Sequence, residues 1–449
     1  MSSIPTPPPP TSSPSPPTTS LLLRDLLCNS ERIHHYHHLL LLLPMSSIPP
    51  PPPPPPPPTS SPSPPTMSSL PRDLLCNVLS RLPGISLLRL RPVCREWRNV
   101  IDDPGFAAVH ATSGIEGPRI LLLLRPLPSP AGWTDAQLAA PFMMSDELLV
   151  TSLPEPVASS WLYGEGVSCH GLLCFDDPRN GGGTHLLNPL TREIALVAGS
   201  SVAPREHGYR QRIAFGLDRL TGRYKILRVS LFFGDHAIRG TRAEVLDQGS
   251  RSWRDIASVP PRLFLGVPVY AAGSFHFIFV GSGSDNRVIK ILSFDLAKEE
   301  FVPTPCPEFQ NAHLMVLRGA LGLVDLSQNE SIDVWTMEEE GGGRWTKEYS
   351  IPLRVPRVLN TSNRSVEFLG CGGQKMMLRF SGSILSYDPA TGEVKYVQRG
   401  GASLARAMGS ITVSLLSPAK LWNTDKVVLP LTAVMKMSKG GLSLGEKET

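Results

Sequence analysis

Between residues 115 and 430 one short pattern recurs: an apolar strand, a polar turn headed by Asp or Asn, and a following strand that often opens on an aromatic. The strands read as Arg119–Leu124, Gly171–Phe175, Ile194–Val197, Arg212–Phe215, Tyr224–Val229, Ala243–Leu246, Phe275–Val280, Val288–Phe294, Leu321–Asp325 and Ile332–Thr336. The turns begin at Asn188, Asp218, Asp247, Asp295 and Asp388, where a short side chain can bond its own backbone two residues on. Tyr224, Trp253, Phe301, Trp345 and Tyr396 follow them. Such a unit cannot bury its apolar face alone, so several must stack. Their spacing is uneven, which favours a closed propeller with unequal blades over an open solenoid.

The front of the chain is built differently. Of 47 prolines, 22 lie in residues 1–66, and Pro49–Pro58 is an unbroken run. A proline run adopts polyproline II and supports no packed core, so this stretch reads as a disordered, proline-rich leader. A ligand for proline-binding modules is the sharper alternative. Residues 1–29 and 45–77 are two copies of one segment, and translation from Met45 or Met67 is a further possibility.

Residues 68–112 read as a small all-α module. Leu74, Leu75, Val78, Leu79 and Leu82 recur at helical spacing before Pro83-Gly84. Ser86 is expected to cap a second helix, Pro92 to start a third, and Asp103-Pro104 to end it. The apolar stripes are wider than one buried face needs. A module this small cannot bury them unaided, so another protein or the downstream domain must cover the surplus.

The segment LPRDLLCNVLSRLPGISLLRLRPVCREWRNVIDDPGF resembles an F-box, the module that docks onto the Skp-type adaptor of cullin–RING ubiquitin ligases. The resemblance implies adaptor contacts at Leu70, Pro71, Leu74, Leu75, Val78, Leu82, Leu87, Leu88, Val93, Cys94 and Trp97. Asn77 stands where that family often has an acid, and Gly84-Ile85 replaces a small-then-basic pair. The earlier copy, LLLRDLLCNS at 21–30, lacks the proline and everything downstream, so it is not expected to bind.

The later region carries, in order, WLYGEGVSCHGLLCF, LLNPLTREI, AFGLDRLTGRYKILRV, AEVLDQGSRSWRDI, VYAAGSFHFI and ILSFDLAKEEFVPTP. It resembles the F-box-associated interaction domain of plant F-box proteins, a kelch-like β-propeller. His170 and Phe277 depart from that family's usual Asn and Trp. The expected organisation is a leader over 1–67, the F-box over 68–112 and a linker with first strands over 113–160. The propeller-like domain follows over 161–430, and a tail over 431–449.

The chemistry of an enzyme does not stand out. Cys169, His170 and Cys174 have no second ligand pair for zinc, and two strand thiols are the simpler reading. Gly281-Ser-Gly283 lacks the third glycine and helix of a dinucleotide site. No catalytic, metal or cofactor residue is therefore expected. A net charge of +4 with 18% charged residues gives no case for nucleic acid, and the longest pure apolar run, Leu39–Leu43, is far too short to span a membrane. No charged start precedes an apolar core, so no signal peptide is expected. Seven irregularly spaced cysteines fit reduced thiols in the cytoplasm or nucleus.

The implied function is that of a non-catalytic substrate adaptor in an SCF-type ligase, its F-box on the Skp-type adaptor and through it a cullin. The propeller would hold a target protein. The alternatives are a scaffold outside any ligase, or a sugar-binding or catalytic propeller with an F-box-like cap. Target contacts are expected on the long connections Gly199–Gln211, Phe232–Thr241 and Gly281–Arg287, above all at Phe232, Phe233, His236 and Arg239. The competing reading of Phe232 and Phe233 ends a strand there and turns both to the core.

Overall fold

The structure is a computed structural model that describes residues 71–124, 140–144, 148–152, 166–177, 183–198, 209–234, 237–260, 264–280, 289–328, 331–338, 343–352, 366–372, 375–380, 383–398, 405–428, 431–433, 437–438 and 441–442. The leader, residues 281–288 and most of the expected connection at 199–211 lie outside them.

Four helices open the described chain: α1 (Arg72–Leu79), α2 (Gly84–Leu90), α3 (Arg95–Ile101) and α4 (Pro104–Thr112). Three expected boundaries move. Ser86 sits inside the first turn of α2, whose N-cap is Pro83. Helix α3 starts at Arg95 rather than Pro92, because the Cys94 thiol accepts the Trp97 N–H and so caps it. Asp103-Pro104 begins a helix as well as ending one. The Asp103 carboxylate accepts the Phe106 N–H at 3.0 Å, and Pro104 takes the first helical position, where its missing N–H costs nothing.

The rest is a ring of sheets. Five consecutive antiparallel sheets come from strands in chain order: 167–198, 209–255, 264–309, 312–352 and 366–398. A further sheet closes the ring from both chain ends. In it Arg119–Leu124 pairs antiparallel with Ala405–Ile411 and parallel with Leu148–Ser152. The first strands of the sheets lie against one another in turn around the ring, the last, Ala405–Ile411, meeting the first, Val167–Cys169. All ten expected strands fall on observed ones. Others, such as Ala312–Leu317 and Lys375–Phe380, appear only in the structure.

The expected turn chemistry is present at four of the five positions. Asn188, Asp218, Asp295 and Asp388 each accept the backbone N–H two residues on, all at 2.9 Å. Asp247 instead pairs with Arg254 at 2.8 Å. The turn aromatics mostly pack: Tyr224 stacks on Phe215, Phe301 lies tilted against Phe294, and Trp345 donates to the Pro305 carbonyl, whereas Tyr396 is exposed.

Two-residue hairpins at His170-Gly171, Ala272-Gly273 and Arg318-Gly319 have both residues at positive φ, the mirror-image turn that matches strand twist. At Gly171 the demand is also spatial. A Cβ there would lie 2.7 Å from the Ser414 backbone nitrogen and 2.8 Å from the Thr412 carbonyl oxygen. Gly171→Ala is expected to cost about 1–3 kcal/mol through forced backbone shifts. Gly222→Ala, also at positive φ but facing open space, should cost less. Equal urea midpoints for the two variants would show that the close approach does not matter.

In the third sheet a buried polar ladder crosses the strands. His276 Nδ1 lies 2.6 Å from the Ser293 hydroxyl, which bonds Thr304, while Nε2 faces the Ala271 carbonyl at 3.2 Å. Burial pushes the imidazole down to about 4, against about 6.5 when unfolded. As pH falls, the unfolded chain takes up this proton first. The stabilisation from neutral His276 is thus complete above about pH 6.5 and is lost as pH falls towards 4. His276→Gln should flatten the pH dependence of urea stability across that window; an unchanged slope would refute the assignment.

Candidate adaptor-docking face

Helix α1 carries two apolar stripes, because Leu74 and Leu75 are neighbours about 100° apart on a helix. Leu75 and Leu79, four apart, point inwards and are buried. Leu74 and Val78, also four apart, point out, with Leu74 54% exposed. Val93 is equally exposed at 54%, and so are its neighbour Cys94 and, at the start of α1, Pro71. Leu82, Leu88 and Trp97 are half-buried and pack against the core from its edge. Leu70 lies outside the described residues.

Leu75 and Leu87 therefore do not belong to the free face. They pack within the helical module, where α1 and α2 both meet α3. They share one continuous core with Leu79, Val100, Leu190, Leu416 and Trp422. Gly84 comes so close to the turn after Asn188 in the first sheet that an added Cβ would stand 3.2 Å from the Leu190 side chain. The inner stripe is thus spent on a core that the module shares with the ring, and the outer stripe stays open.

Ion pairs hold the free face in shape. Arg72 reaches Asp103 at 2.8 Å, and Arg91 grips Asp102 with two bonds of 2.6 and 2.8 Å. The Phe106 N–H, helped by Gly105 and Arg72, holds the Asp103 carboxyl below the usual carboxylate range. The Asp102 bonds raise the Arg91 guanidinium. These pairs are exposed and each contributes roughly 0–1 kcal/mol at most. Arg89, Arg95 and Arg98 are exposed around them.

One contact had no signal in the sequence. Glu116, beyond α4, is buried, accepts the Gly84 N–H at 2.5 Å and pairs with Arg119 at 2.7 Å. His110, also buried, lies 2.8 Å from the Leu82 carbonyl. Nothing in residue spacing links position 116 to position 84.

The proposed target connection Phe232–Thr241 is not a loop. Arg223–Gly234 and Ala237–Asp247 form a long hairpin in which Phe232 pairs with both Tyr209 and Gly240, and Phe233 with Ile238. Phe232 is half-buried. Arg239 falls at a register shift within the second strand. His236 and the side chains of Phe233 and Arg239 lie outside the described residues. The alternative that places the two phenylalanines at the end of a strand thus has the backbone right, since the strand runs through both to Gly234.

Cys169 and Cys174 are buried strand thiols, and burial raises both. His170 occupies a hairpin turn, its Nδ1 3.0 Å from the Tyr224 hydroxyl, and burial lowers its pKa. Phe277 fills the core, stacked on Phe264 at 4.2 Å. Among the described residues no group of three or more His, Cys, Asp or Glu side chains is arranged to hold a metal.

The helical module and the ring each match a known family. Residues 67–108 match the F-box domain. Residues 145–405, more than half of the chain, match the F-box associated beta propeller domain. The chain belongs to the F-box-associated β-propeller family. Among the relatives of this F-box protein, F-box protein At3g07870 of Arabidopsis thaliana is 26% identical over 71% of this chain and 84% of its own length. F-box/kelch-repeat protein At3g23880 of the same plant is 24% identical over 77% of this chain and 94% of its own.

Proposed function

We propose that this F-box protein is the substrate-recognition adaptor of an SCF-type cullin–RING ubiquitin ligase. One observation carries the reading: the F-box keeps an outward apolar face, Leu74, Val78 and Val93, while its inner stripe is buried in the core it shares with the ring. Bulky apolar side chains left open on a packed module mark a protein interface. The Skp-type adaptor is the partner that an F-box implies, and a cullin follows through it. The propeller holds a target protein and raises its effective concentration near the ligase, so the chain itself makes no bond. Its place of work is the cytoplasm or nucleus, consistent with the free cysteines of the described residues. No helix among the described residues is long and apolar enough to cross a membrane.

The test is affinity purification of the intact chain beside a surface variant, Leu74→Asp with Val93→Asp. Deleting residues 68–110 is unsuitable, because it would also strip the cover from Leu190 and Trp422. Both adaptor and cullin should come with the intact chain and neither with the variant. Adaptor without cullin would favour a scaffold outside a ligase.

A further inference from the structure

We infer that the segment Thr412–Trp422 is a positioning element, which fixes the direction in which the F-box faces from the ring and so the region that ubiquitin can reach. The inference rests on the ligase reading for its consequence, though not for its geometry. Leaving the closing strand Ala405–Ile411, the segment runs past the turn after Asn188. There the buried Asn188 amide donates to the carbonyls of Ser414 at 2.9 Å and Leu416 at 2.7 Å. Glu193, also buried, accepts the Ala419 N–H at 3.1 Å and the Ser417 hydroxyl, and its other oxygen pairs with Lys426 at 2.9 Å. The short helix α5 (Pro418–Trp422) is thereby tied to the first sheet, with Trp422 fully buried.

From that helix Lys420 crosses to the F-box and donates to the Asp102 carbonyl, the C-cap of α3, at 2.8 Å. On the other side the Glu116–Arg119 pair ties α2 to the strand that enters the ring. The F-box is therefore held at two separate places, and the two share one apolar core. A hinge needs an exposed linker that few contacts cross. The connection between α4 and Arg119–Leu124 is only residues 113–118, with Glu116 buried inside it. Residues 113–115 and 117 are exposed, so this connection would bend on its own; the Glu116 and Lys420 contacts hold it in place. Transfer reactions depend on held geometry as well as on proximity, so Glu193 and Lys420 act as positioning residues, not catalytic ones.

The test uses the full chain with non-natural spin-label residues at the exposed Arg81 and Thr391. One narrow distance distribution is expected for the unaltered chain. Glu193→Ala, which removes three contacts, should broaden it, as should Lys420→Ala, a surface change that leaves the ring intact. Glu193→Gln keeps an oxygen for the Ala419 N–H and should restore the narrow distribution. In a reconstituted ligase, self-ubiquitination of Glu193→Ala should spread to lysines unmodified in the parent, with adaptor affinity changed less than twofold. Narrow distances in both alanine variants would overturn the inference. A failure of the unaltered chain to receive ubiquitin would count against the ligase reading alone, since the label distances need no ligase.

Discussion

Leu74→Ala with Val78→Ala is expected to abolish capture of the Skp-type adaptor while leaving the melting temperature of the chain unchanged. Both side chains project from α1 away from the core, so their removal opens no cavity. Surface changes of this kind usually alter stability by less than about 0.5 kcal/mol. At an interface centre the same truncations are of another size. A hot-spot residue costs about 2 kcal/mol or more, and each 1.4 kcal/mol is roughly tenfold in affinity. Loss of Leu74 alone should therefore weaken binding at least about 30-fold. Leu79→Ala is the control with the opposite signature. Leu79 is fully buried, and truncating such a leucine costs about 2–5 kcal/mol of stability. Equal adaptor affinities for the parent and the Leu74/Val78 variant, measured by surface plasmon resonance, would remove this face from the docking site.

The largest expected loss of stability lies in the second sheet. Arg228 and Glu244 face each other across paired strands at 3.1 Å, with side chains 0% and 1% exposed. The guanidinium also lies 3.8 Å over the Trp253 ring, so its charge is both paired and stacked. Arg228→Ala removes one member and leaves the Glu244 carboxylate buried, with Arg242 as a more distant partner at 3.3 Å. Breaking a buried pair from one side typically costs about 3–5 kcal/mol. Replacing both, Arg228→Met with Glu244→Leu, removes the Glu244 charge together with its partner, leaves only the neighbouring buried Asp176 without the arginine, and should be less damaging. A chemical-denaturation series in which the double variant is no more stable than Arg228→Ala would show that the charge pair is not the cause.

Much of the architecture was legible because it depends on local chemistry. An Asn or Asp that bonds the amide two residues on declares its turn from sequence alone, and Asn188, Asp218, Asp295 and Asp388 do so. Helical spacing likewise placed α1 without reference to its neighbours. Where a local signal had two meanings, the reading slipped. Asp103-Pro104 both stops α3 and caps α4. The run from Arg223 to Asp247 contains His, Gly and Arg at its centre and still forms one hairpin, because pairing to Tyr209–Asp218 carries the first strand to Phe232 and pairing to the second strand carries it on to Gly234.

By itself the sequence determined that a small helical module precedes a ring of stacked strand units, since neither periodicity nor turn chemistry needs a distant partner. Only the tertiary structure decided which leucines remain outside. Leu74 and Leu75 are the same residue type one position apart, and no local rule says which will meet the ring. Burial is a property of what comes to cover a surface. Here part of that core comes from far along the chain: Leu416 and Trp422 join Leu75 and Leu87 in one cluster, and Lys420 reaches Asp102 across more than 300 residues. Such contacts follow from ring closure, in which each sheet lies where its neighbours place it, and that condition is written in no single segment.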